Sequence, residues 1–264
     1  MSTVTFAAAQ CAIRAGDISA NLTLHMQFMQ HAREHGVGFL LFPELSLTGY
    51  EPTLAKNLAQ DLDCALLAPL RQLAQEACMT TVVGLPLRLS NQEKPLIAAF
   101  ILHPDGSLGI YTKQHLHPGE EHYFSPGKGG DLIGIEGLTL ALSVCADFTH
   151  AEHPSRAAAQ GAQVYATSVL VGETGHPHDS TLLQGYAKHL QMAVLMSNHG
   201  GSTGGWASAG KSAFWDEQGQ CVATTTGTGN RLLIITKKTQ GWKGVEEPLS
   251  VAPKVQAKVT PQQE

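Results

Sequence analysis

The sequence predicts a single α/β domain, and three observations predict it. Short apolar runs rich in Val, Ile, Leu and Ala alternate along the chain with amphipathic segments of helical period. Three of those runs stop at chemically active side chains, Glu44, Lys113 and Cys145, and open α/β folds place ligands at the carboxyl ends of their strands. The 264 residues contain no internal linker or low-complexity segment, and a chain of that length buries a sizeable core as one domain.

Taken in order, VTFAAAQCAI over 4–13 reads as a buried strand. Residues 21–35 read as an amphipathic helix. Leu22, Met26, Met29 and Ala32 recur at three- and four-residue steps, and Gly36 suits the position past the end. VGFLLFPE, 37–44, is a second strand ending at Glu44, followed by the Gly- and Pro-bearing loop LSLTGYEP. A carboxylate there is either solvated or functional, because an isolated buried one is costly. A helix over 64–78 carries Leu66, Leu70, Leu73, Ala74 and Ala77 on one face, with Pro69 in its first turn or at a kink. TTVVGLPLRL, 80–89, is a third strand. Residues 95–113 form a hairpin around His-Pro-Asp-Gly-Ser that closes on Lys113, either a solvated strand end or a second functional group.

Residues 114–131 read as loop and hold the adjacent Glu120 and Glu121. LALSVCADFTH, 140–150, then delivers Cys145 at a strand end, with Asp147 two residues later. A thiol in that place is either an inert core residue or a nucleophile. There follow a helix at 153–162, a strand at 164–171, a loop from Gly172 to Asp179, a helix at 180–192 and a strand at 193–198. A Gly-rich loop, a hairpin at 211–226 and a strand at 230–238 complete the domain, 1–240. Residues 241–264 lack periodicity and read as an extended tail placed to cross a partner subunit.

Composition excludes several function classes. A formal charge of −5 argues against nucleic acid or an anionic membrane held by bulk electrostatics. No apolar run reaches the roughly twenty residues of a membrane span. No basic-then-apolar leader opens the chain. The five cysteines are odd in number, scattered and without a CxxC pair, the pattern of reduced thiols, so a cytoplasmic protein is expected. Seven of the thirteen histidines cluster, at His115, His117 and His122, at His150 and His153, and at His176 and His178, without an HExxH pairing. They read as solvated or substrate-facing, and neither metal nor cofactor is expected. GWASAGKS, 205–212, fits the phosphate-cradling pattern GxxxxGK[ST], which requires a helix after it. The residues that follow alternate like a hairpin, so nucleotide binding is the minor alternative.

Three reactive groups at strand ends supply a base, a cation and a thiol, provided the strand ends converge. The segments that carry them, FPELSLTGYEP, YTKQHLHPGEEHYFSPG and SVCADFTHAEHP, resemble in order and separation the three signature blocks of the nitrilase superfamily of carbon–nitrogen hydrolases. AAAQCAI with GDISANL resembles the family's opening, SNHGG its Asn–Gly segment and GKSAFWDEQGQCVA its final hairpin, so the similarity covers about residues 4–236. The resemblance implies a four-layer α-β-β-α sandwich in which two mixed β-sheets pack face to face. It also implies a homodimer or larger homo-oligomer joined through the outer helices.

By position, the resemblance makes Glu44 the general base, Lys113 the oxyanion-stabilising cation, Cys145 the nucleophile and the Ala146 N–H a second oxyanion donor. It calls for a further glutamate: Glu120 fits by distance from Pro126-Gly127, and Glu121 by spacing from the lysine. Tyr50, His122, Asp147 and Asn198 are expected at the oxyanion or substrate. The chain departs from the family after the cysteine. It reads Ala146-Asp147-Phe148-Thr149-His150, and an arginine for a substrate carboxylate is missing there, with Arg156 several residues on. A histidine-lined pocket would favour a polar or anionic acyl group. The reaction implied is hydrolysis of the non-peptide C–N bond of a small amide through a Cys thioester, with release of ammonia. N-carbamoyl and nitrile hydrolysis are alternatives on the same triad.

Overall fold

The computed structural model describes residues 3–249. Strand β1 (Val4–Gln10) leads to helix α1 (Ile18–Glu34), whose first turn is capped by the Asp17 carboxylate accepting from Ala20 N–H at 3.0 Å. Then come β2 (Phe39–Leu41), the one-turn α2 (Ala55–Leu58), α3 (Ala68–Glu76), β3 (Thr80–Leu87), β4 (Leu96–Leu102) and β5 (Leu108–Thr112). The second half holds β6 (Ile133–Ile135), β7 (Leu138–Val144), α4 (Glu152–Ala159), β8 (Val164–Val169), α5 (His176–Leu190), β9 (Ala193–Asn198), β10 (Ala213–Trp215), β11 (Cys221–Thr224), β12 (Arg231–Lys238) and β13 (Gly241–Pro248).

These strands build a seven-stranded sheet in the order β13-β12-β1-β2-β3-β4-β5 and a six-stranded sheet in the order β11-β10-β9-β8-β7-β6. Both are mixed. The pairs β1–β2 and β2–β3 run parallel in the first sheet, β7–β8 and β8–β9 in the second, and the flanking pairs are antiparallel.

Strand alternation sorts the core into layers. Val4, Phe6 and Ala8 of β1 pack with Val164 and Ala166 of β8 between the two sheets. Ala7 and Ala9 face the other way, onto Leu24, Phe28 and Met29 of α1 and Leu70 and Leu73 of α3. Tyr165 faces out from the second sheet onto Leu183 and Ala187 of α5 and Ala157 of α4. The molecule is the expected α-β-β-α sandwich.

Three boundaries differ from the sequence reading. β2 is only three residues long, so Glu44 sits on a tight turn beyond the strand. α5 begins at His176, placing His176 and His178 in a helix rather than a loop; Pro177 in its first turn is the signal for that start. Residues 241–248, expected as tail, pair along the whole of β12 as the edge strand β13. Trp242 of that strand packs against Phe6 and Phe214 with ring centroids 5.8 and 4.7 Å away. The rest of the tail, 250–264, lies outside the described residues.

Candidate active site

The three strand ends converge. Lys113, one residue past β5, is fully buried, and its ammonium donates to Glu44 Oε1 at 2.7 Å and to Glu120 Oε1 at 2.8 Å. Glu44 is buried on the turn after β2, where Leu45 takes φ 50°. That turn presses on β3 at Gly84, where an added Cβ would collide with the Leu45 nitrogen. Glu120 sits in a 3-10 turn (Glu120–His122) and accepts from Tyr50 O–H at 2.9 Å and from His117 N–H at 2.8 Å. Glu121 is exposed and caps the same turn through Gly119 N–H. Of the two glutamates, Glu120 is therefore the one brought to the lysine.

Cys145 stands where β7 breaks into a 3-10 turn (Cys145–Thr149), at φ 45°, a region non-glycine residues avoid. Such strain costs about 1–3 kcal/mol and persists only when the surroundings fix it. Asp147 fixes it. Its carboxylate accepts from Val144 N–H at 3.1 Å, Tyr111 O–H at 2.7 Å, Gln114 N–H at 2.9 Å and His115 N–H at 2.8 Å. It thereby ties the cysteine turn to the loop that follows Lys113. The Ala146 N–H is the second in this turn, so it has no carbonyl within the turn to donate to.

The electrostatics suit a proton-transfer site. Burial raises the Glu44 carboxyl, the Lys113 charge pulls it back and the Glu120 charge raises it again, leaving it at about 7. Glu44 Oε2 is buried without a hydrogen-bond partner. Burial, and after it the Glu44 charge, pushes the Cys145 thiol up, with Lys113 opposing. Burial pulls Lys113 down, but the charges of Glu44, Cys145 and Glu120 outweigh it, and the ammonium stays protonated. Tyr50 is raised by burial and by the Glu44 and Glu120 charges, so it remains a donor.

Two buried histidines hold the Glu44 segment. His199 Nε2 lies 2.7 Å from the Glu44 carbonyl, which can only accept, so Nε2 carries the proton. Its Nδ1 is buried and unpartnered, and burial keeps the ring neutral by lowering it to about 4. His25 stacks on Phe42 at 4.0 Å. Its Nδ1 donates to Asn21 O at 2.7 Å and its Nε2 accepts from Ser46 O–H at 2.9 Å.

A cleft of about 50 Å³ opens above the thiol, lined by Glu44, Tyr50, His117, Glu120, Cys145, Leu170 and Trp206. Glu44, Glu120, Cys145 and Tyr50 thus meet as expected, with Lys113 behind them. Three expected substrate contacts do not. His122 is exposed, beside Glu121. Asp147 turns inward to the four donors above. Asn198 is buried, donating to the carbonyls of Val171 and Gly210 at 2.9 and 2.8 Å.

Of the clustered histidines only His117 lines this cleft. His115 stacks on His150 at 3.8 Å, and His153 bridges Tyr111, Gln114 and Tyr165. Sequence reasoning did not single out Leu170, at the end of the predicted strand 164–171, or Trp206, in the Gly-rich loop. Residues 205–212 run into strand β10 instead of a helix, and Lys211 pairs with Glu173 at the surface, so no phosphate cradle forms. Among the described residues, no three metal-binding side chains gather, and no helix is long and apolar enough to cross a membrane.

Known proteins share this arrangement of strands. The family model for carbon–nitrogen hydrolases matches residues 5–243. An (R)-stereoselective amidase from Pseudomonas sp. is 28% identical over 216 residues, which cover 81% of this chain and 77% of that one. A glutamine-dependent NAD(+) synthetase from Thermotoga maritima is 25% identical over 191 residues, 67% of this chain but only 32% of the synthetase. The chain therefore spans about a third of that relative.

Solved structures of an amidase from Nesterenkonia sp. AN1 superpose with a TM-score of 0.79 at 29% identity, covering 88% of this chain and 92% of the other. In that structure acrylamide has undergone Michael addition at the amidase's active-site cysteine. Another, with the cysteine replaced by alanine, holds butyramide, with a TM-score of 0.79 at 29% identity and coverage of 88% and 89%. Sequence and fold agree: the chain belongs to the carbon–nitrogen hydrolase family, as an amidase-like member of the nitrilase superfamily.

Proposed function

We propose that the protein hydrolyses a small amide through an acyl thioester on Cys145 and releases ammonia. The observation that carries this reading is the buried Lys113 ammonium held between Glu44 and Glu120 beside a thiol on a strained turn. In the first half-reaction Glu44 takes the thiol proton as the sulfur bonds to the carbonyl carbon, and the C=O pair moves onto oxygen. An ammonium has three N–H donors. Glu44 and Glu120 occupy two of them, which leaves the third for the oxyanion, with Ala146 N–H beside it. Removing one such donor typically costs about 10²–10³ in rate. Collapse of the intermediate re-forms the carbonyl and breaks the C–N bond, and Glu44 returns its proton to the departing nitrogen.

In the second half-reaction Glu44 takes a proton from water, and the hydroxide oxygen bonds to the acyl carbon. Collapse expels the sulfur, which recovers the proton from Glu44, and the carboxylic acid leaves. Glu44 accepts and returns a proton twice per turnover, and a carboxyl at about 7 is matched to that task near neutral pH. Glu120 transfers no proton in this scheme. Its oxygens are filled by Lys113, Tyr50 and the His117 N–H, so it positions the cation.

The test is ammonia release from acetamide, butyramide, an N-carbamoyl amino acid and butyronitrile, for the native chain and for Cys145→Ala and Glu44→Gln. Turnover of the amides is expected, with a loss of about a thousandfold or more in either variant. Ammonia from the carbamoyl compound or nitrile alone would transfer the reading to that substrate. Undiminished release by Cys145→Ala would contradict the thioester.

A further inference from the structure

Trp206 is the most exposed large apolar side chain among the described residues, at 53%, yet its backbone is tightly held. Thr203 to Trp206 is a two-residue hairpin in which each end's N–H donates to the other's carbonyl, at 3.1 and 2.9 Å. Gly204 and Gly205 take φ 57° and 79°, the pair of positive values that a type I′ turn requires. The turn is stitched to the segment carrying Tyr50. Tyr50 N–H donates to Thr203 Oγ1 at 2.9 Å, while the Thr203 hydroxyl and Gly204 N–H donate to the Glu51 carboxylate at 3.1 and 2.8 Å. A Cβ on Gly204 would collide with the Tyr50 carbonyl. Tyr50 in turn donates to Glu120, the partner of Lys113. The backbone that carries the indole is thus fixed relative to the reacting groups by a chain of hydrogen bonds, while the ring's own surface stays largely uncovered.

That surface lines the cleft above Cys145, edge-on to His117 with centroids 6.2 Å apart and planes at 83°. The rings share this small cleft, about 50 Å³, with Leu170 and the reacting groups. We propose that Trp206, backed by His117, is the wall that limits acyl-chain length, so that the substrates are primary amides of short acyl chain. This rests on the amidase reading of the site. The first carbons beyond the thioester pack on the indole and Leu170, and a longer chain meets the indole, whose Cα the stapled hairpin keeps over the cleft. Filling or missing one methylene in an apolar pocket changes kcat/KM by roughly 10–200-fold.

The test compares kcat/KM for acetamide, butyramide and hexanamide in the native chain, Trp206→Ala and Trp206→Phe, with melting temperatures alongside. Both substitutions keep the backbone bonds of the hairpin. The native chain is expected to fall by about tenfold or more from butyramide to hexanamide. Trp206→Ala raises the hexanamide-to-acetamide ratio by about tenfold or more, and Trp206→Phe by less. A ratio that does not change in Trp206→Ala, or a native chain that prefers hexanamide, overturns the wall while leaving the amidase reading intact. No ammonia from any of the three amides with the native chain overturns both.

Discussion

Replacing Glu120 with Gln removes one negative charge beside Glu44 and keeps a side chain of the same shape. Both carboxylates contact one ammonium, at 2.7 and 2.8 Å. The two charged oxygens are therefore no more than about 5.5 Å apart, and at an effective dielectric of about 20 their repulsion is about 3 kcal/mol. That corresponds to about two pKa units, which water in the partly open cleft reduces to about one to two. The sign follows from the direction of the shift. Glu44 in the folded protein is raised to about 7, partly by the Glu120 charge, so its basic form is lost as pH falls through about 7. Without Glu120 that loss moves to lower pH.

The assay is kcat/KM for butyramide by ammonia detection from about pH 5 to about pH 9. The native profile is expected to rise through about 7 and then stay level, because burial and the Glu44 charge hold the Cys145 thiol up. Glu120→Gln lowers the plateau, since Lys113 keeps one carboxylate instead of two, and moves the acid limb down to about 5–6. A limb that stays in place or moves up would refute the reasoning.

His199→Ala leaves the buried Glu44 carbonyl without its donor, a defect worth about 1–3 kcal/mol. It should lower kcat with KM for butyramide held, and His199→Gln, which restores a donor, should recover part of the loss; equal kcat in all three would remove the positioning role. Asp147→Asn sets an amide N–H₂ among four donors that now point at a carboxylate. A loss of about 3 kcal/mol or more in urea unfolding is expected, and an unchanged midpoint would show that the clamp is unimportant. Succinamate should be a poorer substrate than butyramide. A carboxylated chain would enter a cleft lined by Glu44 and Glu120, with Lys113 already paired to both. A penalty of about 1.4 kcal/mol suffices for tenfold discrimination, and equal kcat/KM would point to a cation in the cleft.

The apolar runs that end at the reacting groups marked them as candidates only, each either a solvated or inert residue or a functional one, and the resemblance of the three blocks to the nitrilase superfamily is what assigned their roles. The direction of neighbouring side chains was not legible. Asp147 lies two residues from Cys145, but the 3-10 turn between them aims it into the protein, where it supports the nucleophile instead of touching a substrate. The choice between Glu120 and Glu121 depended in the same way on a single turn, whose inward face carries only Glu120. β13 escaped notice because GWKGVEEP has no apolar alternation. It is an edge strand held by its backbone ladder to β12 and by Trp242, over which Lys237 Nζ sits at 4.7 Å. Trp206 belongs to a turn tied to the distant Glu51, and local sequence carries no trace of that pairing; His117 is held by the nearby Glu120, but only through the turn that aims that carboxylate inward.

The central claim is that the Cys145 sulfur becomes covalently acylated. The direct measurement is acid-quenched mass spectrometry of the protein during butyramide turnover, with peptide mapping. A butyryl increment confined to the peptide containing Cys145, and absent in Cys145→Ala, is the result this account predicts. Ammonia released at full rate with no increment on that peptide, or with the increment elsewhere, would contradict it.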